Sequence, residues 1–421
     1  MKKSGIIILG ILFFCSCRKQ YDAPIPDTNW DLFSSALPLP LSAHTRMEGV
    51  YNISEGADDF GSAAAAKWSY TVTNTDTLYQ LSLFCEKNVA YLICEGRRLP
   101  DSTILLNGYW RKMANTQTGK VQLKITPDNG ALFLLRTTGT NTGIIITGQY
   151  GFGASEPDHA LRFNFNRLLY HTKPFELVVH RGGGQTADLL PASENSKEII
   201  RLASSFGATG IEMDVRITKD GVPVLYHDEG LSERLIQKNG MIGPVEDYTY
   251  EQLYTMVRLI RNGEHIPTLR EALQTMVYET PLRFAWLDTK FNGSLELLHS
   301  IQQEFMQKAA AIGRTVDIRI GIPDQNVLKN FKALPGYANI PSVSELSPPV
   351  VEEANSGIWG PRWTEGLQNE LVGQVHAEGR KAFVWTLDAT ENMQTFLTQG
   401  NFDGILTNYP SALAYLYYAQ Q

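Results

Sequence analysis

Two histidines differ from the rest because charged residues and glycine accompany them. His180 begins the motif His180-Arg181-Gly182 after an apolar run, and His227 precedes Asp228 at the end of a second run. Imidazole titrates near pH ~6.5, so at neutral pH one histidine can accept a proton while the other donates one. We therefore predict that His180 and His227 form an acid/base pair.

Three carboxylates end two predicted strands. Glu212 and Asp214 are two residues apart, and Asp288 ends a second strand. Residues two apart share a strand face at roughly 7 Å, and neighbouring strands lie about 5 Å apart, so the three acids can converge. A carboxylate group without thiolates or a histidine cluster suits a hard cation. We predict one divalent cation, Ca²⁺ or Mg²⁺, held by these three residues.

Two cations accompany the acids. Arg181 follows the first histidine, and Lys290 lies two residues beyond Asp288. Both are suited to binding an anionic group such as phosphate. A metal, a phosphate-binding pair and two histidines together indicate phosphodiester cleavage. The alternative for Lys290 is that it serves only as the counter-ion of the carboxylates.

The elements that position these residues alternate between strand and helix from residue 174 to residue 421. Eight strand-like segments in about 240 residues predict a (β/α)8 TIM barrel. Barrel enzymes carry their chemistry at the carboxyl ends of the strands, where these charged residues fall. The predicted strands are 176–180, 210–215, 283–288, 317–322, 340–345, 357–360, 382–387 and 403–407.

The region before the barrel has a different pattern. Residues 47–165 contain short strands in which aromatic and branched residues alternate with polar ones. This pattern predicts an all-β accessory domain, either a β-sandwich or a small β-barrel of seven or eight strands. Nothing in it suggests catalysis, and a glycan, a lipid or another partner remain its candidate ligands.

Composition narrows the function further. A chain of 421 residues with 43% hydrophobic side chains can form two or three domains with large cores. The formal net charge is −7, and no long run of lysine or arginine is present. Both features argue against nucleic-acid binding.

The first residues predict export. Lys2 and Lys3 precede an apolar run over 5–14, which is too short to span a bilayer and fits a signal peptide. We predict a lipoprotein-type signal peptide over 1–17 with lipid on Cys17, then a polar tether over 18–46. The protein would be an exported, membrane-anchored bacterial lipoprotein on the periplasmic side or at the cell surface. The alternative is a plain secretory signal in which neither Cys15 nor Cys17 is modified.

Cys85 and Cys94 remain in the predicted β domain. They flank a predicted hairpin at positions too far apart along its two strands for a direct bridge. We predict that both are small buried hydrophobes rather than a disulfide.

An ordered set of motifs over 176–416 resembles the glycerophosphodiester phosphodiesterase family. The motifs are H-R-G, E-N, E-x-D-V, D-G-x-P-V-x-x-H-D, I-P-T-L, W-T and D-G-I-x-T-x-Y-P. The resemblance implies a barrel of the phospholipase C-like phosphodiesterase type. It also implies attack on phosphorus by a neighbouring glycerol hydroxyl, a cyclic phosphate, and release of glycerol 3-phosphate and an alcohol. The residues at matching positions are His180 and His227 for acid/base chemistry, Glu212, Asp214 and Asp288 for the metal, Arg181 and Lys290 for phosphate, and Trp385 for the substrate wall.

The sequence departs from the family pattern at three places. Asp288 stands where the family usually has Glu, a form that resembles the related sphingomyelinase D barrels. The loop over 183–192 is longer than usual, and Asn408 replaces a common Asp, a change we expect to be tolerated. Phospholipase D-like cleavage of lipid phosphodiesters is therefore one alternative, and a non-catalytic surface binding lipoprotein is another. Three residues keep a structural alternative: Trp385 as core filler, and Glu194 with Asn195 as helix caps.

Overall fold

A computed structural model describes residues 25–73, 76–87, 89–113, 117–136, 143–170, 174–185, 189–261 and 263–420. The predicted signal peptide and the candidate lipid site Cys17 lie outside these residues. Among the residues described, no helix combines the length and the apolarity needed to cross a bilayer.

The first domain is a closed antiparallel barrel of eight strands, β2 to β9, with β1 added at the end of β5. Closure comes from pairing of β5 with β6, which confirms the barrel form of the predicted all-β domain. Its strands are β1 (Leu37–Pro38), β2 (Gly49–Glu55), β3 (Ala63–Val72), β4 (Thr77–Cys85), β5 (Ala90–Arg98), β6 (Ile104–Lys112), β7 (Thr118–Ile125), β8 (Ile145–Tyr150) and β9 (His159–Arg167). Its helices are α1 (Asp31–Ser34), α2 (Leu41–Met47), α3 (Ala57–Phe60) and α4 (Ala131–Leu135).

This domain begins earlier in the chain than predicted. The helix α2 places Ala43 and Met47 in the core of the β-barrel, where both are fully buried. The tether predicted over 18–46 is therefore wrong over 31–46. The stretch is interrupted by Pro38 and Pro40, and its apolar residues become a buried face only when the barrel is present.

The two remaining cysteines follow the prediction. Cys85 and Cys94 are buried free thiols in the described part of the chain. The strand register pairs Leu81 with Cys94, four residues away from Cys85 on the same strand. Burial raises the pKa of both thiols well above the ordinary value, so both stay protonated.

The second domain is a (β/α)8 barrel. Its eight parallel strands are β10, β11 and β13 to β18, and β10 closes the barrel by pairing with both β11 and β18. The strands are β10 (Glu176–Val179), β11 (Gly210–Ile217), β12 (Pro223–Leu225), β13 (Phe284–Thr289), β14 (Asp317–Ile322), β15 (Ser342–Ser344), β16 (Ile358–Trp359), β17 (Lys381–Val384) and β18 (Gly404–Thr407). The helices are α5 (Lys197–Ala203), α6 (Tyr250–Met256), α7 (Leu269–Glu279), α8 (Glu296–Ala311), α9 (Gln325–Lys332), α10 (Pro348–Glu353), α11 (Asn369–Ala377), α12 (Thr390–Gln399) and α13 (Pro410–Tyr418).

All eight predicted barrel strands are present, and β12 adds a short antiparallel strand beside β11. Side chains alternate between the inside and the outside of the barrel along each strand, and the inward-facing ones reach the site at the carboxyl end. On β13, Phe284 and Trp286 point into the barrel and pack with apolar residues of other strands, and Asp288 is the next residue on that face. On β11, Ile211 and Met213 pack outward against the helices. The inward face of these strands therefore changes from apolar to acidic toward the carboxyl end.

The two domains pack against each other through the outward face of β3 to β6. Trp110 on β6 lies in the β-barrel core, and Tyr109 belongs to a cluster shared with helices of the second domain. All nine residues of β6 are buried, because one face lies inside its own barrel and the other is covered by two parts of the chain. Leu105 packs with Phe33 of the N-terminal segment, and Arg111 reaches Leu189 of the neighbouring domain.

Candidate active site

Three carboxylates converge at the carboxyl ends of neighbouring strands. Oxygen atoms of Glu212, Asp214 and Asp288 lie within 4.8 Å of one another. The parallel register places Asp214 directly beside Asp288, and Glu212 beside Trp286. One oxygen of each acid (Glu212 Oε1, Asp214 Oδ1 and Asp288 Oδ1) is buried without a hydrogen-bond partner among the described residues.

The electrostatics of this cluster are unfavourable without a cation. Burial, together with repulsion from Asp214 and Asp288, raises the pKa of Glu212 well above its ordinary value. Burial also raises the pKa of Asp288, although Lys290 opposes the shift. For Asp214, burial acts in the same direction but Arg181 and Lys290 outweigh it, and its pKa is lowered. Three buried carboxylate oxygens that accept no hydrogen bond from the described residues fit a hard divalent cation, since oxygen ligands are what Ca²⁺ and Mg²⁺ require.

The two predicted cations flank these acids. The Arg181 side chain lies 3.4 Å from Asp214 Oδ2, and its backbone N–H donates to Glu212 Oε2 at 3.0 Å. Lys290 Nζ lies 2.5 Å from Asp288 Oδ2 and 3.4 Å from Asp214 Oδ1. Lys290 is therefore in contact with the carboxylates, and its pKa is raised because their attraction exceeds the effect of burial.

Both ring nitrogens of His180 are engaged by neighbouring side chains. Its Nδ1–H donates to Asn408 Oδ1 at 2.8 Å, while Nε2 accepts from Arg181 Nε at 3.2 Å and lies 3.7 Å from Glu212 Oε2. Burial, and then the charge of Arg181, lower the pKa of His180 to about 4. His180 is therefore neutral near pH 7, with Nε2 as the proton-accepting atom.

The ring of His227 is held by the next residue in the chain, Asp228. Asp228 Oδ1 lies 2.8 Å from His227 Nδ1 and is also bound by Arg234, whose guanidinium reaches Glu194 at 2.8 Å. Burial opposes ionisation of Asp228, but hydrogen bonds from Arg234 and His227 outweigh it and lower its pKa. A carboxylate that accepts from Nδ1 fixes the tautomer and leaves Nε2 free for proton transfer.

Glu194 and Asn195 are site residues rather than helix caps. The cap of α5 is Ser196, which accepts from a backbone N–H in the first turn. Glu194 accepts from Arg181 at 2.9 Å, and Asn195 donates to Asp214 Oδ2 at 2.7 Å. Glu194 therefore joins Arg181 to Arg234 and connects the surroundings of the two histidines.

All eight predicted side chains meet at one mouth of the barrel. A cleft of about 150 Å³ is lined by seven of them, and the fully buried Asp214 belongs to the adjoining carboxylate cluster. Trp385 lines this cleft, packs on the barrel interior and donates to Gly360 O at 2.7 Å. Its predicted wall position and its alternative as core filler are thus both realised. The seven lining residues are His180, Arg181, Glu212, His227, Asp288, Lys290 and Trp385.

Four further residues line the cleft and were not predicted as site residues: Trp286, Glu345, Thr386 and Leu406. Trp286 is the inward neighbour of Asp288, and Glu345 follows β15. Burial and the nearby Asp288 raise the pKa of Glu345 to about 8. The signal in the sequence was the position of Glu345 at the end of the fifth predicted strand, where barrel sites collect their polar groups.

Asn408 connects His180 to a second acid and gives a testable consequence. Asp388 accepts from the Asn408 backbone N–H at 2.9 Å and from its Nδ2 at 2.7 Å. In Asn408→Asp the side chain loses that donor and faces the carboxylate of Asp388. We therefore expect a roughly tenfold lower kcat, and partial recovery in the double variant with Asp388→Asn. Steady-state kinetics of the single and double variants measure this, and equal losses in both would contradict the contact's role.

The fold and this site define a (β/α)8-barrel domain with a centre of acids and histidines. A family model, the glycerophosphoryl diester phosphodiesterase family, matches residues 180–334. The barrel domain therefore carries a glycerophosphoryl diester phosphodiesterase domain over these residues, and similar proteins are named glycerophosphodiester phosphodiesterases, which are phosphoric diester hydrolases. The match lies in the C-terminal part of the chain and does not include the β domain.

Similar proteins support this assignment. A glycerophosphodiester phosphodiesterase of Caldanaerobacter subterraneus is 26% identical over 247 residues, which is 56% of this chain and 95% of the relative. The human glycerophosphodiester phosphodiesterase 1 is 34% identical over 151 residues, 34% of this chain and 43% of the relative.

Two solved structures are also similar to this chain. A glycerophosphodiester phosphodiesterase of Parabacteroides distasonis is 23% identical, with a TM-score of 0.46, over 59% of this chain and 99% of that one. A phosphodiesterase of Oleispira antarctica, solved with the product sn-glycerol-3-phosphate, is 20% identical with a TM-score of 0.43, over 57% and 96% of the two chains.

Proposed function

We propose that this protein hydrolyses glycerophosphodiesters to glycerol 3-phosphate and an alcohol with the aid of one divalent cation. The observation that carries the proposal is the convergence of two oriented histidines and three partly unpartnered carboxylates in one cleft. Arg181 and Lys290 supply the positive charge that a phosphodiester anion requires in that cleft.

Glu212, Asp214 and Asp288 would hold the cation. When bound, a divalent ion neutralises charge on the phosphoryl oxygens and acts as a Lewis acid. The side chains around it keep the ligands in place: Asn195 binds Asp214, and the Arg181 backbone binds Glu212. Such supporting hydrogen bonds orient metal ligands and usually matter for affinity.

The histidines would carry the protons. A glycerol hydroxyl next to the phosphate attacks phosphorus and gives its proton to Nε2 of one histidine. The bond from phosphorus to the leaving alcohol breaks, and the other histidine protonates the departing oxygen. Water then opens the cyclic phosphate with the proton roles reversed. We assign His180 as the first acceptor because its Nδ1–H is engaged by Asn408, and His227 as the donor because Asp228 lies 2.8 Å from its Nδ1.

Asp288 keeps a second candidate activity open. Its carboxylate is one methylene shorter than the glutamate usual in the family, yet it reaches the cluster with Glu212 and Asp214. This form resembles the sphingomyelinase D barrels, in which an alcohol is released and a cyclic phosphate remains. Cleavage of intact lipid phosphodiesters is the corresponding alternative.

A substrate panel tests the proposal. Purified protein is incubated with glycerophosphocholine, glycerophosphoethanolamine, a lysolipid and sphingomyelin, after chelation and after Ca²⁺ or Mg²⁺ is restored. Phosphorus NMR follows the products, and His227→Ala reports activity carried over from the host. We expect metal-dependent glycerol 3-phosphate from the glycerophosphodiesters. A cyclic phosphate from the lipids alone supports the alternative, and no turnover with any substrate or metal contradicts both.

A further inference from the structure

We propose that the β domain positions the active site through Arg111, which fastens the loop that carries Glu194 and Asn195. Residues 189–196 are called the support loop below. The inference rests on the proposed function, because its main readout is turnover in the barrel. It assigns a role in the reaction to a domain of which none of the described residues lines the cleft.

Arg111 crosses the domain boundary. It lies on β6, its side chain is 1% exposed, and its guanidinium Nη2 donates to the carbonyl oxygen of Leu189. Burying a charged side chain costs free energy unless hydrogen bonds compensate it. The contact with the Leu189 carbonyl supplies such compensation for the buried guanidinium of Arg111. Its neighbours Tyr91 and Tyr109 are aromatic residues of the same face of the β domain.

The support loop is packed against that same face. Leu190 and Ala192 are buried in a cluster that includes Tyr91 and Tyr109 of the β domain. Leu189 has φ +54°, a left-handed conformation that a leucine keeps only where its surroundings enforce it. The contact from Arg111 to the carbonyl of Leu189 is one such constraint.

The other end of the support loop lies in the site. Asn195 exchanges two hydrogen bonds with Asp214, at 2.7 and 3.2 Å, and its N–H donates to the Arg181 carbonyl at 3.0 Å. Glu194 is 2% exposed and binds the guanidiniums of Arg181 and Arg234. A shift of the loop would therefore move a candidate metal ligand, Asp214, and a candidate phosphate contact, Arg181, together.

The packing extends from the support loop to the turn that carries His180. Leu190 and Ile199 lie so close to Gly183 that a Cβ there would meet Ile199 at 2.7 Å and Leu190 at 3.4 Å. Gly183 follows the helical turn His180–Gly182. The β domain, the support loop and the turn of His180 thus form one continuous packed path, with Arg111 at its outer end.

The test compares two arginines of the β domain that both donate to a barrel carbonyl. Arg111→Met removes the contact to Leu189, whereas Arg167→Met removes a contact to Ala419, which follows α13 and does not belong to the support loop. For each full-length variant, kcat, KM, the thermal midpoint and calorimetric titration with Ca²⁺ and with Mg²⁺ are measured. Arg111→Lys is the conservative variant and also the substitute if Arg111→Met does not fold.

We expect Arg111→Met to lower kcat at least tenfold and to weaken cation binding severalfold. Arg111→Lys should recover part of both, and Arg167→Met should keep both within about twofold at a similar thermal midpoint. Equal kinetics and cation affinity in the two methionine variants would overturn the inference, as would a loss in Arg111→Met that only follows its thermal midpoint. If wild-type protein is inactive on every substrate, the proposed function fails instead, and cation affinity alone then decides the role of Arg111.

Discussion

Replacing His227 by alanine should lower turnover by at least ~10²-fold, and His180→Ala should have a similar effect. Each histidine lines the cleft and has its Nδ1 engaged, by Asp228 in one case and by Asn408 in the other. A proton-transfer group of this kind cannot be replaced by water at the same geometry, so the loss should fall on kcat more than on KM.

The control for the histidine variants is a histidine outside the cleft. His376 lies on α11 and is paired with Asp403 at 2.8 Å, and His376→Ala should retain turnover. Thermal unfolding checks that each variant is folded. Near-normal kcat in a folded His227→Ala or His180→Ala variant would remove that residue from the acid/base pair.

Replacing Glu212 by glutamine should raise the thermal stability of the metal-free protein and lower its activity. The pKa of Glu212 is raised because its charge is buried beside Asp214 and Asp288, so the ionised form destabilises the metal-free fold. An amide keeps an acceptor for the Arg181 N–H but removes the charge. We expect a higher thermal midpoint without metal, no rise on addition of Ca²⁺ or Mg²⁺, and turnover lower by at least ~10²-fold.

Glu345→Gln is the matched control for Glu212→Gln. It removes a second buried carboxylate from the same cleft, but Glu345 does not belong to the three-acid cluster. Wild type and Glu345→Gln should both gain stability on addition of the cation, measured by differential scanning fluorimetry after chelation. A metal-induced rise in Glu212→Gln equal to that of wild type would contradict the assignment of Glu212 as a ligand.

The acidic centre could be predicted because it depends on local rules. The two-residue period of a strand places Glu212 and Asp214 on one face, and the parallel register then brings Asp288 beside Asp214. The closed barrel directs the carboxyl ends of all eight strands to one mouth. The sequence motifs therefore determined both which residues meet and at which end of the barrel.

The supporting contacts could not be predicted in the same way. Arg234 joins Asp228 to Glu194 across forty residues of chain, and Arg111 reaches Leu189 from another domain. Such pairs depend on how loops and domains pack, and no periodicity or spacing in the sequence encodes that packing. The folding of 31–46 was missed for the same reason, because Met47 and its neighbours have a buried face only against the finished β-barrel.

The packing of the β domain against the (β/α)8 barrel has a practical consequence for protein engineering. An excised C-terminal fragment would present to water the apolar surface that the β domain covers, including Phe206, whose ring lies 5.4 Å from that of Tyr91. A chimaera that grafts a different module onto the same hydrolase would leave that surface equally mismatched. The two domains should therefore be kept together when the gene is shortened, fused or recombined.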